Sequence, residues 1–203
     1  NLRTGKMSFQ QFGTRYFNPT ASPKGDRIAV AEYPVEGSSY LVLLTSGQQH
    51  LIGKVEAPGK GQIKEIAFIG ETIYCSVVMD KGLGVYKFNG ETWEEVIPQQ
   101  NQTLVGMKSS GKYLYFTSDL SGVNNIYAFD TEENNLYKLT NALYGASDGF
   151  IQDETMFYSE FDHQGYHLAK NSLKSLKWEK SDFTKPYKYP IAEMLSEQAK
   201  EQT

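Results

Sequence analysis

The sequence predicts an all-β protein assembled from a repeated four-stranded unit, and three observations carry that expectation. A pattern of turn, apolar strand, polar loop, aromatic strand, second turn and outer strand returns about every forty residues along the 203-residue chain. The composition suits sheets joined by tight turns, with 14 Tyr and 11 Phe beside 18 Gly. Four copies superpose so that Ile28, Ile73, Leu114 and Met156 share one place, at spacings of 45, 41 and 42.

Each copy opens with a turn and an apolar strand. In the first, Ser22-Pro23-Lys24-Gly25-Asp26-Arg27 precedes Ile28–Ala31; in the second, Ile69-Gly70-Glu71-Thr72 precedes Ile73–Val77. Ser109-Ser110-Gly111-Lys112 precedes Tyr113–Thr117 in the third, and Gln152-Asp153-Glu154-Thr155 precedes Met156–Ser159 in the fourth. A polar loop then leads to the third strands, Tyr40–Leu44, Val85–Phe88, Ile126–Phe129 and Tyr166–Ala169. Ser46-Gly47, Asn89-Gly90 and Glu133-Asn134-Asn135 mark the next turn, since these residue types adopt positive φ at little cost. Outer strands follow at Gln49–Ile52, Glu94–Ile97 and Leu136–Leu139, and Lys177–Lys180 is the expected counterpart in the fourth copy. Four strands per copy make one blade of a β-propeller, giving blades over residues 14–57, 58–99, 100–142 and 143–183.

Residues 1–13 read as the outer strand of a preceding blade, with a turn at Thr4-Gly5-Lys6 and a strand at Met7–Gln11. One arrangement makes the chain a piece of a larger, six- to eight-bladed propeller. The other closes a four-bladed ring by adding Met7–Gln11 to the fourth blade. The first is favoured because the fourth copy has its own candidate outer strand. Beyond Phe183 the character changes: residues 184–203 comprise a proline-punctuated segment around Pro186 and Pro190, then a short helix over Ile191–Gln202.

The wording of the repeats resembles the TolB-like, or PD40 (WD40-like), propeller family. Ser22-Pro23-Lys24-Gly25-Asp26-Arg27-Ile28-Ala29 is similar to that family's SPDGKxIA turn. Phe116-Thr117-Ser118-Asp119-Leu120-Ser121-Gly122 with Ile126-Tyr127 is similar to its FTSDRSG…IY segment, and Leu139-Thr140-Asn141 to its closing LTN. The second and fourth copies depart from the pattern, lacking the Ser-Pro and the Gly respectively. The resemblance implies a periplasmic or otherwise extracytoplasmic location and a protein or peptide partner.

Composition excludes some classes. The formal charge is −4, from 20 basic and 24 acidic residues mixed along the chain, which gives a nucleic-acid backbone no basic stripe to follow. No apolar run approaches the ~18 residues of a membrane span, so no membrane insertion by this segment is expected. Cys75 is the single cysteine, set in the apolar run Ile73–Met79, and reads as a buried hydrophobe.

No catalytic motif stands out: GxSxG, HExxH, P-loop and paired-cysteine patterns are all missing from the sequence. His163 and His167 have i, i+4 spacing, but Gly165 between them marks a hairpin, where that spacing does not place both rings on one face; no metal and no cofactor is expected. A propeller places any site where loops enter the inner strands and where second strands pass to third. On that rule the candidate binding residues are Arg15, Tyr16, Asn18, Asp119, Tyr144, Asp148, Asp162 and His163. Against this, Tyr16 and Tyr144 also suit packing between blades, and the acidic residues also suit turn formation. The expectation is a non-catalytic module for protein or peptide binding within a larger bacterial envelope protein. An accessory propeller of a peptidase or other hydrolase, and a sugar- or metal-binding lectin-like propeller, are the alternatives.

Overall fold

The computed structural model describes residues 13–47 and 50–201. The first blade comprises β1 (Tyr16–Ala21), β2 (Arg27–Glu32), β3 (Tyr40–Thr45) and β4 (Leu51–Glu56). The second holds β5 (Gln62–Ile69), β6 (Thr72–Met79), β7 (Gly82–Phe88) and β8 (Trp93–Gln100). The third is built on β9 (Val105–Ser110), β10 (Tyr113–Ser118), β11 (Asn125–Asp130) and β12 (Asn135–Lys138), and the fourth on β13 (Ala146–Gln152), β14 (Thr155–Asp162) and β15 (Gly165–Ser172). Within each blade, sequence neighbours pair antiparallel from the inner strand outward.

The shared place of Ile28, Ile73, Leu114 and Met156 has a structural meaning. Side chains alternate across a strand, so this position and the one after it face opposite blades. Ile73 packs back onto Ala29, Ala31 and Leu41 of the first blade. Leu114 packs back onto Tyr74, Val85 and Ile97 of the second, and Met156 onto Tyr115, Ile126 and Ala128 of the third. Tyr74 and Tyr115, one residue further along, face forward. Three inter-blade cores result, and the inner strands lie side by side in the order β1, β5, β9, β13. No comparable packing joins β13 to β1, so the described blades form an open arc.

The fourth blade departs from expectation. Residues Glu179–Ser181 form β16, which pairs with β12 through Leu136↔Ser181, Tyr137↔Lys180 and Lys138↔Glu179. The third blade thereby gains a fifth strand and the fourth is left with three. The strand expected at Lys177–Lys180 therefore belongs to the neighbouring blade. The cause lies in the turn after β15 and in two aromatic rings. The N–H groups of Ser175 and Leu176 both donate to the Ser172 carbonyl, at 3.0 and 3.2 Å, and the chain doubles back. Trp178 then packs against Tyr113 and Tyr137, at 4.9 and 5.6 Å between centroids, in the core between the third and fourth blades. Phe183 enters the core between the second and third. These rings bury apolar area in the cores between blades, which favours the path along the third blade.

The proline-punctuated segment runs on along the third blade. The Tyr187 N–H donates to the Leu120 carbonyl at 2.9 Å and the Tyr189 hydroxyl to the Gly122 carbonyl at 2.9 Å. The helix α1 spans Pro190–Glu201, with Ile191, Met194 and Leu195 exposed. Among the described residues no helix is long and apolar enough to cross a membrane. The strand read at Met7–Gln11, and the residues Gln49 and Gln202, lie outside the described residues.

Candidate binding face where the inner strands begin

Three of the inner strands carry a bulge near their start at a residue with positive φ: Asn18 (52°), Gly106 (68°) and Asp148 (57°). The bulge in β5 falls between Ile63 and Glu65. A bulge lifts backbone groups out of the ladder, where they need other partners. Adjacent blades supply them. The Asn18 amide donates to the Lys64 carbonyl, and the Thr20 hydroxyl to the Ile66 carbonyl at 3.1 Å. The Glu65 carboxylate accepts the N–H groups of Gly106 and Met107, each at 2.8 Å. Thr117 Oγ1 accepts the Asp148 N–H at 3.3 Å. Side chains thus join β1 to β5, β5 to β9 and β10 to β13, blade by blade.

Between the first and second blades this face holds a cavity of about 610 Å³, with Arg15, Phe17, Asn18, Tyr33, Val35 and Lys64 in its wall. Phe17 and Tyr33 meet at 4.9 Å between ring centroids, tilted by 59°. Phe17 remains 44% exposed and Val35 98% exposed. The Tyr33 hydroxyl donates to the Ile63 carbonyl, and burial pushes its pKa above the usual phenol value, so it brings no negative charge. The wall contains no carboxylate. Glu32 is held by Lys54 at 2.8 Å, and Glu65 is turned to the third blade. Neither Arg15 nor Lys64 forms an ion pair among the described residues, so two uncompensated cations flank an aromatic surface in a chain of net charge −4.

A somewhat larger cavity, about 670 Å³, lies between the third blade and the C-terminal segment. Most of its charges are matched within the wall: Lys138 lies 3.8 Å from Glu179 and Lys185 3.7 Å from Asp182, which leaves Lys180 without an ion pair among the described residues. It offers a ligand less unmet chemistry than the first.

Of the residues singled out from sequence, Arg15 and Asn18 come together in the cavity between the first two blades. Tyr16 is half-buried on the other face of the first blade, beside Val30, Val42 and Leu44. Asp119 holds a loop, its carboxylate accepting the Thr103 N–H at 2.7 Å. Asp162 closes the β14–β15 hairpin by accepting the Gln164 N–H at 2.7 Å, and His163 sits exposed in that turn. Asp148 accepts the Ser147 hydroxyl at 2.9 Å, and Tyr144 is exposed in the loop before β13. Phe17, Tyr33, Val35 and Lys64 were not singled out from sequence. Their only sequence signal is position: Phe17 stands between Arg15 and Asn18, Tyr33 and Val35 follow β2, and Lys64 lies at the start of β5. His167 lies 3.7 Å from Glu160 and 3.9 Å from Asp162, and among the described residues no group of three or more His, Cys, Asp or Glu could hold a metal ion.

Similar solved structures share the fold. TolB from Acinetobacter baumannii matches with a TM-score of 0.65 and 14% identity, over 87% of this chain and 45% of that one. A puromycin-hydrolyzing peptidase from Mycobacterium tuberculosis matches at 0.62 and 14% identity, over 87% and 30%. The acylaminoacyl peptidase from Pyrococcus horikoshii matches at 0.61 and 11% identity, over 82% and 32%. This chain spans less than half the length of each. No protein-family model and no curated protein matches the sequence.

Proposed function

We propose that this chain is a non-catalytic propeller module that binds a protein or peptide on the face where its inner strands begin, as part of a larger bacterial envelope protein. The observation that carries the reading is the cavity between the first two blades, where exposed Phe17 and Val35 stand beside Tyr33. Rigid aromatic and apolar anchors at a concave, rimmed site are what an interface uses for most of its binding energy. The extracytoplasmic location rests on the resemblance of the repeat wording to the TolB-like family. In a second reading the chain is an accessory propeller of a peptidase, supported by the likeness to two peptidases of which it spans about a third. A hydrolase domain encoded in the same reading frame would decide for that reading.

Selection of a phage-displayed peptide library on the immobilised protein tests the binding face. Enriched peptides are expected to bind the wild-type chain and to lose binding to Phe17→Ala and Val35→Asp. Enriched peptides that bind both variants as well as the wild type would overturn the assignment.

A further inference from the structure

We infer that the cavity between the first two blades recognises a carboxylate next to an apolar side chain, a combination presented by the C-terminus of a peptide or by an internal Asp or Glu. The inference rests on reading this face as the peptide-binding one and adds the chemistry of what is bound. Arg15 and Lys64 are both exposed, both in the cavity wall, and both without a carboxylate partner among the described residues. Other cations are engaged: Arg27 and Lys24 with Glu71, Lys54 with Glu32, Lys112 with Asp130 and Lys174 with Glu154. Others, such as Lys81 and Lys170, form no ion pair among the described residues. What sets Arg15 and Lys64 apart is that both line one cavity. Of the acidic groups near this cavity, Glu65 is turned onto the Gly106 and Met107 N–H groups and Glu32 onto Lys54, while Glu36, between the wall residues Val35 and Gly37, is exposed and not part of the wall.

A guanidinium and an ammonium on one rim set a local positive potential against the acidic whole, which favours an anion and repels a cationic ligand. A guanidinium suits a planar carboxylate because its fork donates two parallel hydrogen bonds. Phe17, Tyr33 and Val35 take the neighbouring apolar group and exclude water from the ion pair, which strengthens it. A neutral sugar would leave both cations without a counter-charge, and an apolar peptide segment that presents no carboxylate would leave them likewise.

The test uses three pools of biotinylated peptides on a biosensor, each with Phe or Leu at the C-terminal residue. One pool ends in a free carboxylate, one in an amide, and one in an amide with Glu before the apolar residue. The amidated neutral pool is expected to bind about tenfold or more weakly than the free-acid pool, as loss of a charge-assisted hydrogen bond implies. Comparison of the free-acid and Glu-containing pools identifies the source of the carboxylate. Arg15→Gln with Lys64→Gln is expected to abolish the preference, and Arg15→Lys with Lys64→Arg to retain it. Equal binding of all three pools, still sensitive to Phe17→Ala, would overturn the carboxylate inference and leave the peptide-binding face standing. Absence of binding by every pool, or binding insensitive to Phe17→Ala, would overturn both.

Discussion

The ring of Phe183 lies nearly parallel to that of Phe116, 6.2 Å away between centroids and within 20°. This contact brings the C-terminal segment back across the third blade into the core between the second and third, while Trp178 fills the next gap along. Phe183 is only half-buried, so Phe183→Ala is expected to cost about 1–3 kcal/mol, below the usual figure for a fully buried ring. Denaturant midpoints measure it. A loss under about 0.5 kcal/mol would show that the segment contributes nothing to the blades it covers.

Glu65 joins the second and third inner strands through two N–H groups that the bulge at Gly106 removes from the ladder. Glu65→Ala leaves both without a partner and is expected to destabilise by about 1–3 kcal/mol. Hydrogen exchange gives a sharper reading than the melting temperature alone. The Gly106 and Met107 amides should lose protection first, and unchanged exchange at both would show that the Glu65 carboxylate contributes nothing to their protection.

Much of the fold was legible in the sequence because each blade is local. Strand, turn and strand follow within a few residues, and the class of residue at Ile73 or Leu114 records which neighbour it faces. The partner of β16 was not legible. Lys177-Trp178-Glu179-Lys180 reads as an outer strand wherever it pairs, and its choice of β12 over β15 depends on seats for Trp178 and Phe183 that exist only once three blades have packed. The candidate site divides the same way. Arg15 and Asn18 follow from the rule that places sites in the entry loops, whereas Lys64 and Tyr33 come from different strands and blades and meet only in three dimensions.

The turns between first and second strands allow a test of the repeat alignment free of packing. Gly25 and Gly111 have φ of 70° and 58°, and a Cβ at either would meet nothing within 4 Å. Substitution there therefore reports backbone strain alone. Gly25→Val and Gly111→Val are each expected to cost about 1–2 kcal/mol. In the fourth blade Asp153 takes the place of these glycines and the turn has a second residue with positive φ: Asp153 and Glu154 have φ of 48° and 59°. Glu154→Gly relieves the strain while raising the entropy of the unfolded chain, for an expected net gain of about 0.5–1 kcal/mol. A lower melting temperature for Glu154→Gly would mean that its contact with Lys174 outweighs the strain.

Asp130 sets the acid limb of stability in the third blade. Its side chain is 4% exposed, 2.8 Å from the Lys112 ammonium, and accepts the Glu132 and Glu133 N–H groups at 3.0 and 3.1 Å. Burial opposes its ionisation, but the Lys112 hydrogen bond and the two N–H donors outweigh burial and hold the pKa below the usual carboxylate value. A carboxyl group whose folded pKa is depressed contributes fully above its unfolded pKa, at about 4, and loses that contribution as the pH falls through the folded value. Asp130→Asn should therefore melt below the wild type at neutral pH, and the gap should narrow only once the pH drops below about 4. A gap that stays constant through the acid range would mean that the asparagine defect is one of packing, with no part played by the charge facing Lys112.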